Sequence, residues 1–229
     1  MKKRIAMMAI ALVLVAALSV GGTLAYLTST TGTLTNTFTI GKVAIDLSEV
    51  QVNDKGLGIG ERIKADANAT GPIGNEYKLY PGATFDKDPT VTIKAGSDEA
   101  YVRMMVKLSL PAALNNDQLA IKLDGIFTGY DVTKWPRAKK TVADDKMSIT
   151  YEYRYIQPVG DNAGADRDLE PLFKQIVIPN DVNAELMGFL NGMKIEIQAH
   201  AIQADQLANA DAAWAAFDAQ VADPSWPTT

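Results

Sequence analysis

The chain has 229 residues, no cysteine, one histidine and a net charge of −5. Without thiols it can form no disulfide, thiolate zinc site or thiol nucleophile, and one histidine cannot supply the paired ligands of a zinc protease. The acidic balance repels phosphate backbones, which argues against nucleic acid as a partner.

The amino end reads as an export signal. Met1-Lys2-Lys3-Arg4 is basic, Ile5 to Val20 is an unbroken apolar or small stretch, and Gly21-Gly22-Thr23-Leu24-Ala25 offers small residues to a signal peptidase. The apolar run is shorter than the roughly 20 residues of a spanning helix. The expectation is cleavage between Ala25 and Tyr26, with membrane contact only before cleavage. About two hundred residues then remain, enough for one β domain with its own core. An exported chain without cysteine suits an envelope that lacks strong oxidative folding, or a fold stable enough without crosslinks.

The next segment alternates. Leu34, Asn36, Phe38 and Ile40 share one face and Thr33, Thr35, Thr37 and Thr39 the other, the period-2 pattern of a half-buried strand. Beyond Gly41-Lys42 the phase shifts to Val43, Ile45 and Leu47, so the glycine marks a bend between two pairings. From Asn53 to Asn75 the periodicity fades among Gly, Asn, Asp and Ala, which predicts a long surface excursion. Within it, Gly56-Leu57-Gly58-Ile59-Gly60 lacks the spacing of a phosphate loop and reads as flexible loop.

Strands are predicted over Thr90 to Lys94, Ala100 to Leu108 and Met147 to Ile156. The second places Val102, Met104, Val106 and Leu108 inward and Arg103 and Lys107 in water; the third puts Tyr151, Tyr153 and Tyr155 on one face. That tyrosine row reads as packing, with a sugar-stacking platform as the alternative. Lys134-Trp135-Pro136-Arg137-Ala138-Lys139-Lys140 reads as a solvated loop or an edge-strand guard, because Lys and Pro discourage strand addition.

Asp161, Asp166, Asp168 and Glu170 crowd a glycine-containing loop and are the candidate calcium ligands, although their spacing is not that of an EF-hand. A solvated acidic turn is the alternative. Further strands are predicted over Leu172 to Ile178 and Met193 to Gln203, with a short helix from Asp181 to Leu190 between them. A last helix is predicted from Asp205 to Ala222, with Leu207, Trp214, Phe217 and Val221 on one stripe. The lone His200 reads as a surface or satisfied core residue. Six to eight strands with short helices point to a mostly β chain, an antiparallel β-sandwich with short peripheral helices.

Five pieces in order carry a resemblance. They are Gly21 to Thr28, the run Asn36-Thr37-Phe38-Thr39-Ile40-Gly41-Lys42-Val43-Ala44-Ile45-Asp46-Leu47, Leu79-Tyr80-Pro81-Gly82, Ala100-Tyr101-Val102-Arg103, and Ala201-Ile202-Gln203-Ala204-Asp205 with Trp214. Together they resemble the TasA and camelysin (CalY) family of Gram-positive bacteria, whose members are processed by a SipW-like signal peptidase. Leu110 to Asn191 carries no match.

The resemblance implies a jelly-roll-like β-sandwich, secreted to the extracellular matrix or cell surface, that builds biofilm fibres by donor-strand complementation. Its partners would be further copies in a head-to-tail homopolymer and related minor matrix subunits. No catalytic residue or cofactor is implied, and the metalloprotease activity attributed to camelysin-type members is at odds with the single histidine. The implied layout is a signal peptide over 1–25, a donor segment over 26–42 with Leu34, Asn36, Phe38 and Ile40, and a sandwich with a C-terminal helix over 43–229. The other functional reading is a monomeric secreted adhesin that holds a glycan or a protein on the tyrosine row or on the 53–75 loop.

Overall fold

The structure is a computed structural model that describes residues 43–66, 73–114, 123–182 and 184–221. The cleavage-site residues Ala25 and Tyr26 and the donor residues Leu34, Asn36, Phe38 and Ile40 lie outside the described residues.

The elements that lie whole among the described residues follow one another as β1 Ile45–Val52, β2 Gly58–Lys64, β3 Thr84–Asp86, β4 Thr90–Ile93, β5 Ala100–Ser109, β6 Phe127–Thr128, β7 Arg137–Val142, β8 Ser148–Arg154, β9 Arg167–Asp168, β10 Gln175–Val177, α1 Ala184–Leu190, β11 Lys194–Gln203 and α2 Ala210–Gln220. They form sheets in the orders β2-β1-β4-β9, β3-β10-β6 and β11-β5-β8-β7. Neighbouring strands run antiparallel throughout. One core joins the three sheets: Val91 and Ile93 of β4, Phe85 of β3 and Ile176 of β10 pack in one cluster with Met104 and Val106 of β5 and Ile149 of β8. The mostly β, antiparallel sandwich with short peripheral helices expected from the sequence is the observed architecture.

The longest sheet shows why alternation was a partial guide. Val102, Met104, Val106 and Leu108 on β5 face the core as expected, and so do Ile149, Tyr151 and Tyr153 on β8. Arg103, expected in water, is 1% exposed, and Glu152 beside it is 3% exposed. The reason is α2. Its Trp214 and Phe217 rings lie 4.5 and 4.9 Å from the Arg103 guanidinium. The helix and the outer face of the sheet thus share a second small core built on Ile202, Ala213 and Trp214.

The excursion expected over Asn53 to Asn75 contains β2, which pairs with β1. A tight turn joins them: Asn53 Oδ1 accepts from Lys55 N at 2.9 Å and Leu57 N at 3.2 Å, and Gly56 sits at φ +75°. A Cβ at Gly56 would collide with the Phe85 ring, so only glycine fits there. Nearly every β2 residue is exposed. An edge strand with no buried face carries no apolar alternation, which is why the sequence pattern hides it.

Other boundaries contract. The strand expected over Leu172 to Ile178 forms only at β10, and the helix expected from Asp181 starts at Ala184. The last helix starts at Ala210 rather than Asp205, because Gln206 adopts φ +66° and Asn209 caps the helix, its Oδ1 accepting from Ala212 N at 2.9 Å.

Candidate strand-acceptor groove

The edges of the β11-β5-β8-β7 sheet differ in chemistry. At β7 the ladder slips between Arg137 and Lys139, and cations line the strand, as the sequence predicted for an edge guard. A bulge and lysines both discourage strand addition. At the other edge, β11 pairs with β5 along ten residues and, among the described residues, with no strand on its other side. Ten residues present about 33 Å of strand edge at roughly 3.3 Å per residue.

The core-side residues of β11 are Ile195, Ile197, Ala199 and Ala201, all half-buried against the main core. Beside them opens a trough of about 1150 Å³ whose floor includes Phe85, Ile176, Ile178 and Leu190. Its far wall is β1 with the segment 73–79. β1 approaches β11, yet the two belong to different sheets with no ladder between them.

The far wall is fixed by polar bonds. Asn75 Oδ1 accepts from Val52 N at 2.9 Å, while Asn75 Nδ2 donates to Val50 O at 2.7 Å and to Glu49 Oε1 at 3.0 Å. Lys87 forms an ion pair with Glu49, and both side chains are largely buried. The Tyr77 hydroxyl donates to Asp86 O at 3.2 Å. Burial, reinforced by the Glu49 charge, pushes the Tyr77 phenol far above its ordinary value, so it remains a donor. Such a wall can hold its shape while a strand edge and alternating apolar side chains are offered to an incoming segment.

Leu79-Tyr80-Pro81-Gly82 forms a turn at the end of this wall. Ala83 N donates to Tyr80 O at 3.1 Å and Gly82 adopts φ +74°, the arrangement that Pro followed by Gly favours. β3 follows directly.

The four calcium candidates each meet groups of the chain itself. Asp161 accepts from Gly96 N at 2.6 Å, Asp166 accepts from Ala95 N at 2.9 Å and pairs with Lys94, Asp168 accepts from Thr92 Oγ1 at 2.6 Å, and Glu170 accepts from the Tyr155 hydroxyl at 2.5 Å. The hydrogen bond from Lys94 holds the Asp166 carboxyl below the usual range, and that from Tyr155 does the same for Glu170. Among the described residues no three His, Asp or Glu side chains are grouped to hold a metal ion.

Tyr151, Tyr153 and Tyr155 are 1, 7 and 9% exposed, so the row packs inward and is no exposed three-ring platform. His200 lies under α2, where its Nδ1 accepts from Arg103 Nε at 3.1 Å and its ring stacks on Phe217 at 4.8 Å. No family model, curated protein or solved structure matches the chain.

Proposed function

We propose that the chain is a secreted structural subunit of extracellular biofilm matrix fibres and that it assembles by donor-strand complementation. The observation that carries this reading is the outer edge of β11, unpaired among the described residues, beside a trough whose floor is apolar and whose rim is polar and charged. An added strand gains main-chain hydrogen bonds along such an edge, and alternate side chains fill the floor. The segment from Tyr26 to Ile40 has the required alternation through Leu34, Phe38 and Ile40. Its 15 residues reach about 50 Å when extended, more than the edge requires. Addition of one subunit's segment to the next subunit's groove does not close on itself, so the product is a filament.

Mature protein beginning at Tyr26 is expected to form fibres under the electron microscope. Deleting Tyr26 to Ile40 is expected to leave a folded monomer that forms none. Fibres that survive the deletion would refute the donor assignment, and monomers that persist at every salt and pH would favour a monomeric binding module.

A further inference from the structure

A second concavity lies at the opposite edge of the long sheet from β11. It measures about 440 Å³ and shares no lining residue with the trough. Its walls are aromatic: the Phe127 and Phe173 rings are 4.5 Å apart, and Tyr130 meets Tyr153 edge-on at 5.3 Å. Asp124 and Arg137 supply its charges, with Arg137 Nη1 3.7 Å from Asp124 Oδ2.

The carboxylate of Asp124 is already positioned. It accepts from the Tyr151 hydroxyl at 2.5 Å and from Lys140 Nζ at 2.8 and 2.9 Å. Two oxygens offer about four acceptor sites, so capacity remains. The Arg137 side chain is 42% exposed and keeps N–H groups in contact with solvent. Burial pushes the Tyr153 phenol up to about 12 and raises that of Tyr130, so both stay neutral. The Tyr130 hydroxyl donates to Trp135 O, which fixes the ring.

This combination selects a ligand by elimination. An anion would meet Asp124, and a cation would meet Arg137. A purely apolar ligand would strip water from both charges and return no hydrogen bond. A neutral ring with one apolar face and adjacent hydroxyls satisfies all three conditions, because each hydroxyl both donates and accepts while the C–H face lies on an aromatic wall. We infer that this pocket binds a single neutral hexopyranose unit of a glycan, its hydroxyls meeting the paired Asp124 and Arg137 side chains on one side. Its volume lies in the range of small-molecule sites and exceeds that of one sugar ring. The inference is independent of fibre assembly.

The test is saturation-transfer NMR on the mature protein with the methyl glycosides of glucose, galactose, mannose and N-acetylglucosamine, and with benzyl alcohol as the apolar probe. At least one glycoside is expected to bind with a Kd in the millimolar range, about −4 kcal/mol. Arg137→Ala and Asp124→Asn are each expected to weaken it at least tenfold, while the protein lacking Tyr26 to Ile40 binds as before. Arg137 is exposed enough for its variant to fold. The inference is overturned if no glycoside transfers saturation at about 50 mM, roughly fifty times a Kd of about 1 mM, if both variants bind unchanged, or if benzyl alcohol alone binds.

Discussion

A protein carrying Arg103→Ala is expected to melt roughly 10 °C below the parent, with α2 released from the sheet. Arg103 is 1% exposed and donates from Nη2 to Asp218 Oδ1 at 2.5 Å and from Nη1 to Asp218 Oδ2 at 3.3 Å. Glu152 stands 3.7 Å away, and Trp214 and Phe217 stack on the guanidinium. Removing one member of a buried, hydrogen-bonded charge group costs about 3–5 kcal/mol, because the partners are left uncompensated. For a domain of this size each kcal/mol shifts Tm by roughly 2–4 °C. Arg103→Lys keeps the charge but loses the fork and the flat stacking surface, so it should fall between the two. Thermal melts followed by near-ultraviolet circular dichroism would report both the shift and the loss of Trp214 packing. A melting point unchanged in Arg103→Ala would show that α2 is held by its apolar face alone.

The second large effect is expected at the groove. Ile197→Glu places a charge on the half-buried, core-facing side of β11, where an added strand would exclude water. Desolvating that charge without a partner opposes docking by roughly 3 kcal/mol or more. The critical concentration for fibre growth should therefore rise about 100-fold, while the monomer stays folded. Val142→Glu is the control, since Val142 is 41% exposed on the guarded edge strand β7. It should polymerise as the parent does. Equal losses in both variants would mean that added charge, rather than the β11 edge, sets assembly.

The sequence made the core face legible wherever apolar residues alternate along a strand. Val102, Met104, Val106 and Leu108, and Ile149, Tyr151 and Tyr153, were read on the correct face for that reason, whereas Thr150 and Glu152 opposite them, read as wet, are buried too. Three features escaped. β2 has no buried face, so nothing in its residues repeats. Arg103 looked solvated because the cover over it comes from α2, more than a hundred residues away. The i, i+3, i+4 set Trp214, Phe217 and Asp218 was the available signal, two aromatics and a carboxylate on one helical face seeking a cation. The acceptor edge escaped for a deeper reason. Lys194 to Gln203 would alternate in the same way in the middle of a sheet, and only strand order shows that one side of β11 has no hydrogen-bonded strand among the described residues. The guard at β7 was legible because lysines advertise an edge in sequence.

Because the chain has no cysteine, engineered thiols report proximity without background. Phe38→Cys protein mixed under mild oxidation with each of Ile195→Cys, Ile197→Cys, Ala199→Cys and Ala201→Cys gives the most direct measurement of where the donor lies. A disulfide needs Cα atoms about 4.4–6.8 Å apart, so only residues on neighbouring strands can bridge. Disulfide-linked heterodimers are expected with one or two adjacent groove positions and not with Val142→Cys. No heterodimer at any β11 position, together with an internal bridge when both cysteines sit in one monomer, would place the N-terminal strand in its own sandwich and contradict exchange between subunits.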